Sequence, residues 1–365
     1  MRTTDIAGVF DASGPFLSLY VATRDDVDST GRKVELLWKN ARGDLQEQGV
    51  PESLLAAVDP LVPDSHLAGA RLVVIASTDG VLWSGNLPEL PVPEVVARWS
   101  ALPSLVPLLA YQQSQLPHVA VLASRAAAEL AARTPADGGS DLVRVERERT
   151  PDLTRSAPGG WSQPRYQHRA EVIWERNAAE VADVLTDLVD RVRPRFVAVA
   201  GDVRAVQFLR DKSPKRVREL VEVVGGELAS IDHVLEAAGQ LVEATVERDT
   251  RELLGRFQEE RGQGDLAAEG ANEVVMALAS GQVATLLLID QPADERTAWF
   301  GEGGQHLALD RDTLLAVGQR TPAEGRLVDV AVRAALTSGA TVRVLSPDGR
   351  ALGDGLGALL RFATP

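Results

Sequence analysis

The segment Phe16-Leu-Ser-Leu-Tyr-Val-Ala-Thr23 alternates and is rich in β-formers, which predicts a strand. The charged stretch from about Arg32 to Gly49 predicts a helix, stopped at Gly49-Val50-Pro51. Leu72 to Ala76 predicts a short buried strand, Ser77 to Gly80 a turn, and Val81 to Trp83 a return strand. From Asn86 to Pro117 prolines recur, which predicts an extended connector with short helical turns.

A second pattern begins near His118, where His-Val-Ala-Val-Leu-Ala-Ser predicts a strand. Ser124 to Arg133 is dense in alanine and other helix formers and predicts a helix. A turn over residues 135–141 and an alternating strand from Leu142 to Arg147 follow. Trp174, Ala178, Val181, Leu185, Leu188 and Val192 then recur at 4,3,4,3,4 spacing, one apolar stripe of a helix about 25 residues long. Arg195 to Ala200 predicts a buried strand, and Gly201-Asp202 caps a helix through Leu209. Two further helical stretches reach about Glu260, and Gly262 to Gly270 reads as a hinge. Beyond it come a helix (Asn272 to Ala279), a strand (Val283 to Asp290) and a loop holding Trp299. A helix (Arg326 to Leu336), a strand (Thr341 to Ser346) and a glycine-rich return complete the chain. Strands alternating with helices in three blocks predict an α/β protein of three domains, 1–116, 117–262 and 263–365, each a mixed sheet with helices.

Composition narrows the chemistry. The 365 residues contain no cysteine, so disulfides, thiolate catalysis and cysteine-ligated zinc are excluded. No apolar run approaches the roughly 20 residues that span a bilayer. The first residues lack a signal-peptide core, so a cytoplasmic protein without membrane contact is expected. The net charge of −14 argues against non-specific coating of nucleic acid, and no DNA partner is expected. Phosphate-loop, dinucleotide and nucleophile-elbow motifs are absent, and the five histidines form no H-x-x-x-H pair. Neither a cofactor nor a metal is expected.

Two features run against this plain background. Arg191, Arg193, Arg195, Arg204, Arg210, Lys212, Lys215, Arg216 and Arg218 face only Asp202 and Asp211 within their own stretch, a local excess of about +7. Such a run is either a solvated helical surface or a contact for RNA phosphates. The second feature is Ser-Ala-Pro-Gly-Gly-Trp-Ser-Gln-Pro-Arg-Tyr, residues 156–166. Two glycines permit close backbone approach, Trp161 offers a stacking face, and Arg165, His168, Arg169 and Arg176 share one helix sector. The plainer alternative is a turn at a helix start with its tryptophan packed locally.

From Gly159 the sequence GGWSQPRYQHRAEVIWERNAAEVADVL resembles the Gly-Gly-Gln-Ser-x-x-Arg-Phe motif of the archaeal-eukaryotic class-one peptide-chain release factors and Pelota. Residues 270–290 and 328–346 also resemble the helix-and-strand pattern of that superfamily's C-terminal domain. The likeness is to its bacterial branch, which includes Balon-like ribosome hibernation factors. It implies a release-factor-like architecture and a factor of stress and dormancy that occupies the aminoacyl-tRNA site and contacts rRNA of both subunits. The implied rRNA-binding tip is Gly159, Gly160, Trp161, Ser162, Gln163, Arg165, His168 and Arg169, near the peptidyl-transferase centre, with the 191–218 basic segment adding affinity. Elongation factor Tu is the implied partner of the last domain.

Trp161 stands where the family has its catalytic glutamine. An indole offers one N–H donor and no acceptor, so it does not reproduce the glutamine's water-positioning role. No counterpart of the stop-codon-reading Asn-Ile-Lys-Ser motif stands in the first section. The expectation is therefore a binding protein rather than an enzyme. Two rivals stand beside it: a peptidyl-tRNA hydrolase using Gln163 or Gln305, and a non-ribosomal protein-interaction module. The literal Gly303-Gly304-Gln305 reads as a loop turn.

Overall fold

A computed structural model of the chain describes residues 6–22, 30–62, 70–88, 95–124, 127–134, 140–146, 163–225, 230–264, 266–289, 291, 294–346 and 352–363. The chain divides into two units, Met1–Gln113 with Thr250–Pro365, and Ser114–Asp249. The sequence reading separates 1–116 from 263–365, whereas the structure gathers these two stretches into one unit.

The first stretch contains β1 (Phe16–Ala22), α1 (Thr30–Glu47), α2 (Glu52–Val58), β2 (Ala70–Ser77), β3 (Gly80–Pro88), β4 (Val95–Ser100) and α3 (Val106–Ser114). The strands form an antiparallel sheet of order β3-β2-β1-β4. The central strand β1 is buried on both sides, which explains its nearly continuous apolar run. Leu17, Leu19 and Val21 pack with Trp38 and Leu45 of α1 and Leu55 of α2. Phe16 and Tyr20 face the opposite core. Tyr20 donates its hydroxyl to the Ser104 carbonyl at 2.6 Å, and the Ser18 hydroxyl accepts from Ser104 N–H at 2.9 Å, so the buried polar groups are satisfied. The proline-rich connector holds a full strand and a helix, β4 and α3, rather than extended chain alone.

The second unit contains β5 (His118–Ala123), β6 (Ala127–Arg133), β7 (Ser140–Glu146), α4 (Gln163–Val192), β8 (Phe196–Gly201), α5 (Val203–Lys212), α6 (Lys215–Arg218), β9 (Val221–Val223) and the start of α7 (Ile231–Gln263). Its sheet runs β7-β6-β5-β8-β9, parallel across β5-β8-β9 and antiparallel across β5-β6-β7. Alternate residues serve two cores. Val119, Val121, Leu130, Val197 and Val199 pack under α4 and α5, through Leu185, Leu188, Val206 and Leu209. Ala120, Ala131, Ala198 and Ala200 pack under α7, through Ile231, Val234 and Ala238. Fully burying a leucine or valine in such a layer contributes about 1.5–3 kcal/mol.

The helix expected over 124–133 is a correction: residues 127–133 form β6. Alanine favours a helix in isolation, but here Ala128, Leu130 and Ala132 fill one core while Ala131 fills the other. Small side chains suit a strand covered on both faces, and burial overrides the propensity.

The last stretch returns to the first unit with β10 (Ala267–Glu269), α8 (Ala271–Ala279), β11 (Val283–Ile289), β12 (Thr297–Phe300), β13 (Leu307–Ala308), α9 (Arg311–Ala316), β14 (Ala323–Arg326), α10 (Leu327–Thr337), β15 (Thr341–Leu345) and β16 (Leu356–Leu360). These build a mixed sheet, β10-β16-β11-β15, and an antiparallel one, β13-β12-β14. Val274, Leu286, Leu288 and Val330 share one hydrophobic core with Phe16, Tyr20 and Leu105. Gln113 reinforces it: its Oε1 accepts from Val344 N–H at 3.0 Å and its Nε2 donates to the Val344 carbonyl. Trp299 lies in a strand, not in the expected loop, with the Arg311 guanidinium 5.7 Å from its ring centre. The expected hinge at 262–270 overlaps the end of α7 and all of β10. The architecture is α/β throughout.

Candidate nucleic-acid interface

Helix α4 carries the residues that the sequence analysis singles out. Its stripe of Ala178, Val181, Ala182, Leu185, Leu188 and Val189 is buried against the sheet. At roughly 100° per residue, backbone positions 165, 169 and 176 fall on the side opposite that stripe, and position 168 falls on its flank. Arg176 is exposed there. Gln163 opens the helix, about 22 Å along the axis from Ala178. Gly159, Gly160, Trp161 and Ser162 lie outside the described residues. Thus Gln163, Arg165, His168 and Arg169 sit on the first two turns of one helix, directly after the Gly-Gly-Trp segment.

The basic segment is partly neutralised by acids that sequence proximity hides. Arg195 reaches both carboxylate oxygens of Asp249, at 3.2 and 3.1 Å. Arg216 forms a two-pronged contact with Asp190, at 3.2 and 2.8 Å. Its hydrogen bonds hold the Asp190 carboxyl below the usual carboxylate range. Lys215 pairs with Glu219 at 3.6 Å, one helical turn on. Arg204 and Lys212 are exposed and also have partners. Asp202 caps α5, accepting from Arg204 N–H at 3.0 Å and Ala205 N–H at 3.1 Å. Arg191, Arg193, Arg210 and Arg218 are exposed, with no carboxylate partner among the described residues. Those four are free to meet an external anion.

Arg193 is held in the left-handed region, φ 50°, where its N–H donates to the Val189 carbonyl at 2.8 Å and ends α4. Glycine is the residue this position normally favours. Arg193→Gly is expected to stabilise the unit by about 0.5–1 kcal/mol in denaturant unfolding. On the expectation that this segment meets RNA phosphates, the same change lowers RNA affinity and reduces its salt slope by about one.

Two other details bear on the site. Gly201, at φ 128°, ends β8 beside Ala123 of β5, and a Cβ there would lie 1.8 Å from the Ala123 carbonyl oxygen. His118 is buried and stacks on Phe196 at 5.4 Å, with Nδ1 2.8 Å from the Leu116 carbonyl oxygen. Burial pushes its imidazole below the ordinary histidine range, which suits a neutral core group.

The Gly303-Gly304-Gln305 sequence is a turn between β12 and β13. Gly303 adopts φ 84°, Gly304 abuts the Thr337 hydroxyl, and the Gln305 amide packs over the bare Cα of Gly281. Packing thus accounts for all three residues. Among the described residues no cluster of His, Asp or Glu has metal-binding geometry, and no helix is long and apolar enough to cross a membrane.

Residues 117–263 match bacterial archaeo-eukaryotic release factor family 2. The uncharacterized protein Rv2629 of Mycobacterium tuberculosis (strain ATCC 25618 / H37Rv) is 30% identical over 375 residues, spanning 100% of this chain and 97% of the relative. The chain belongs to this release-factor-like family. MT2704 of M. tuberculosis strain CDC 1551 / Oshkosh gives the same figures. Among solved structures, Archaeoglobus fulgidus Pelota is similar at 17% identity and TM-score 0.38, covering 82% of this chain and 81% of that one. Saccharomyces cerevisiae Dom34 is similar at 15% identity and TM-score 0.40, covering 78% and 74%. Family membership places the chain among translation-related proteins, and the stretch that matches the family spans the 114–249 unit.

Proposed function

We propose that this protein binds the ribosome as a hibernation factor, occupying the aminoacyl-tRNA site with its Gly-Gly-Trp tip near the peptidyl-transferase centre, without hydrolysing peptidyl-tRNA. One feature supports the reading: in a chain of a release-factor-like family, the segment from Gly159 resembles the release-factor motif with Trp161 in place of its glutamine. The flanking residues keep the chemistry of contact. Gly159 and Gly160 permit close backbone approach. Trp161 supplies a stacking face, and Arg165 and Arg169 supply phosphate contacts from the helix side turned away from the core. The exposed Arg191, Arg193, Arg210 and Arg218, without a carboxylate partner among the described residues, add charge in a chain of net charge −14. Elongation factor Tu is the proposed partner of the last stretch, on family behaviour.

Peptide release on stalled ribosomes tests the non-hydrolytic half of this reading. With the protein in excess over ribosomes carrying peptidyl-tRNA, release is expected to stay at the buffer rate. Release above that rate, abolished by Gln163→Ala, would establish a rescue hydrolase instead.

A further inference from the structure

In the 114–249 unit a groove runs between α5 and β9, the edge strand of the sheet. Its mouth lies at the carboxyl ends of the parallel strands β8 and β9, where α/β sheets commonly bind ligands. Val203, 78% exposed, and Val223, 54% exposed, line it. They are the exposed large apolar side chains among the described residues of this unit. Arg210 and Arg218 line the same groove and are two of the four basic side chains of the 191–218 segment with no carboxylate partner among the described residues. Asp211 is the acid on the lining, so the groove is net positive within a chain of −14. Gly201 and Gly225 complete the lining.

We infer that this groove binds an unpaired nucleotide of single-stranded RNA, its base lying on Val203 and Val223 and its phosphate held by Arg210 and Arg218. A base gains from burying a face against apolar side chains and its phosphate from a planar, charged fork, and the groove lining supplies both. A peptide adding to the sheet edge fits less well, because β9 offers only the three residues Val221–Val223 and one of them is the exposed Glu222. The inference rests on the ribosome-binding reading only for the source of the RNA.

The test uses fluorescein-labelled octauridylate and the full chain carrying Trp161→Ala, Arg165→Ala and Arg169→Ala, so that the tip does not contribute. Anisotropy is expected to report binding that weakens at least tenfold on adding Arg210→Ala with Arg218→Ala, and comparably on adding Val203→Asp. These side chains are exposed, and an unchanged melting temperature confirms that each variant is folded. No binding, or equal binding by the variants, overturns the inference. So does an oligoglutamate peptide that displaces the RNA and loses its own binding in the arginine variant, which would mark a protein partner. Co-sedimentation of the otherwise unaltered chain with ribosomes separates the two readings. Ribosome binding without octauridylate binding overturns the groove alone, and octauridylate binding without ribosome binding overturns the ribosomal role alone.

Discussion

Gly201→Ala is expected to lower the melting temperature of the 114–249 unit by roughly 10–20 °C, corresponding to about 3–5 kcal/mol. Two independent costs meet at this residue. Its φ of 128° lies where L side chains are strained, and a Cβ would approach the Ala123 carbonyl oxygen to 1.8 Å and its carbonyl carbon to 2.8 Å. The obstructing atoms are backbone of β5, a strand paired on both sides, so no side-chain rotation relieves the clash. Ala123 also accepts a hydrogen bond from Asp202 N–H at 3.0 Å, and that link fixes the start of α5. Calorimetry of the full chain measures the shift. An unchanged transition would mean that β5 and β8 do not meet as described. Because α5 lines the proposed RNA groove, the variant is also expected to lose that site with the fold.

The second large effect belongs to the tip. Replacing Trp161, Arg165 and Arg169 together with alanine is expected to weaken ribosome binding by about 3–5 kcal/mol, roughly a hundred- to several-thousand-fold in Kd. Loss of a stacked indole removes about 1–3 kcal/mol, and loss of two charge-assisted phosphate contacts supplies the rest. The variant is expected to melt like the parent chain, since positions 165 and 169 lie opposite the buried stripe of α4. Its salt slope is expected to be shallower by about two, one for each lost phosphate contact. Co-sedimentation across a potassium chloride series measures both quantities. Unchanged affinity would remove the tip from the mechanism.

What the sequence revealed depended on whether a pattern had one physical cause. The stripe from Ala178 through Leu188 was plain because one face of α4 is buried and the other is not. The strands at 16–22 and 283–289 were plain because β-branched and large apolar side chains cluster there between turn residues. The 127–133 strand was hidden by alanine, whose helix propensity says nothing about a position squeezed between two helical layers. The shared core of the first and last stretches was hidden too. An apolar face records that it is covered, not by which distant segment. In the candidate site, local counting overstated the free charge. Asp190 and Asp249 neutralise Arg216 and Arg195 across 26 and 54 residues, which only the fold brings together. Val203 and Val223 gave no signal at all, because a single exposed valine in sequence looks like any other.

Competition for the aminoacyl-tRNA site tests the central claim most directly. Ribosomes with a filled peptidyl site and a cognate codon in the aminoacyl site are mixed with fluorescent aminoacyl-tRNA and increasing amounts of the protein. The account predicts mutually exclusive binding: the labelled tRNA is displaced to completion, and the midpoint moves in proportion to tRNA concentration. Ribosomes that hold both molecules at saturation would contradict it.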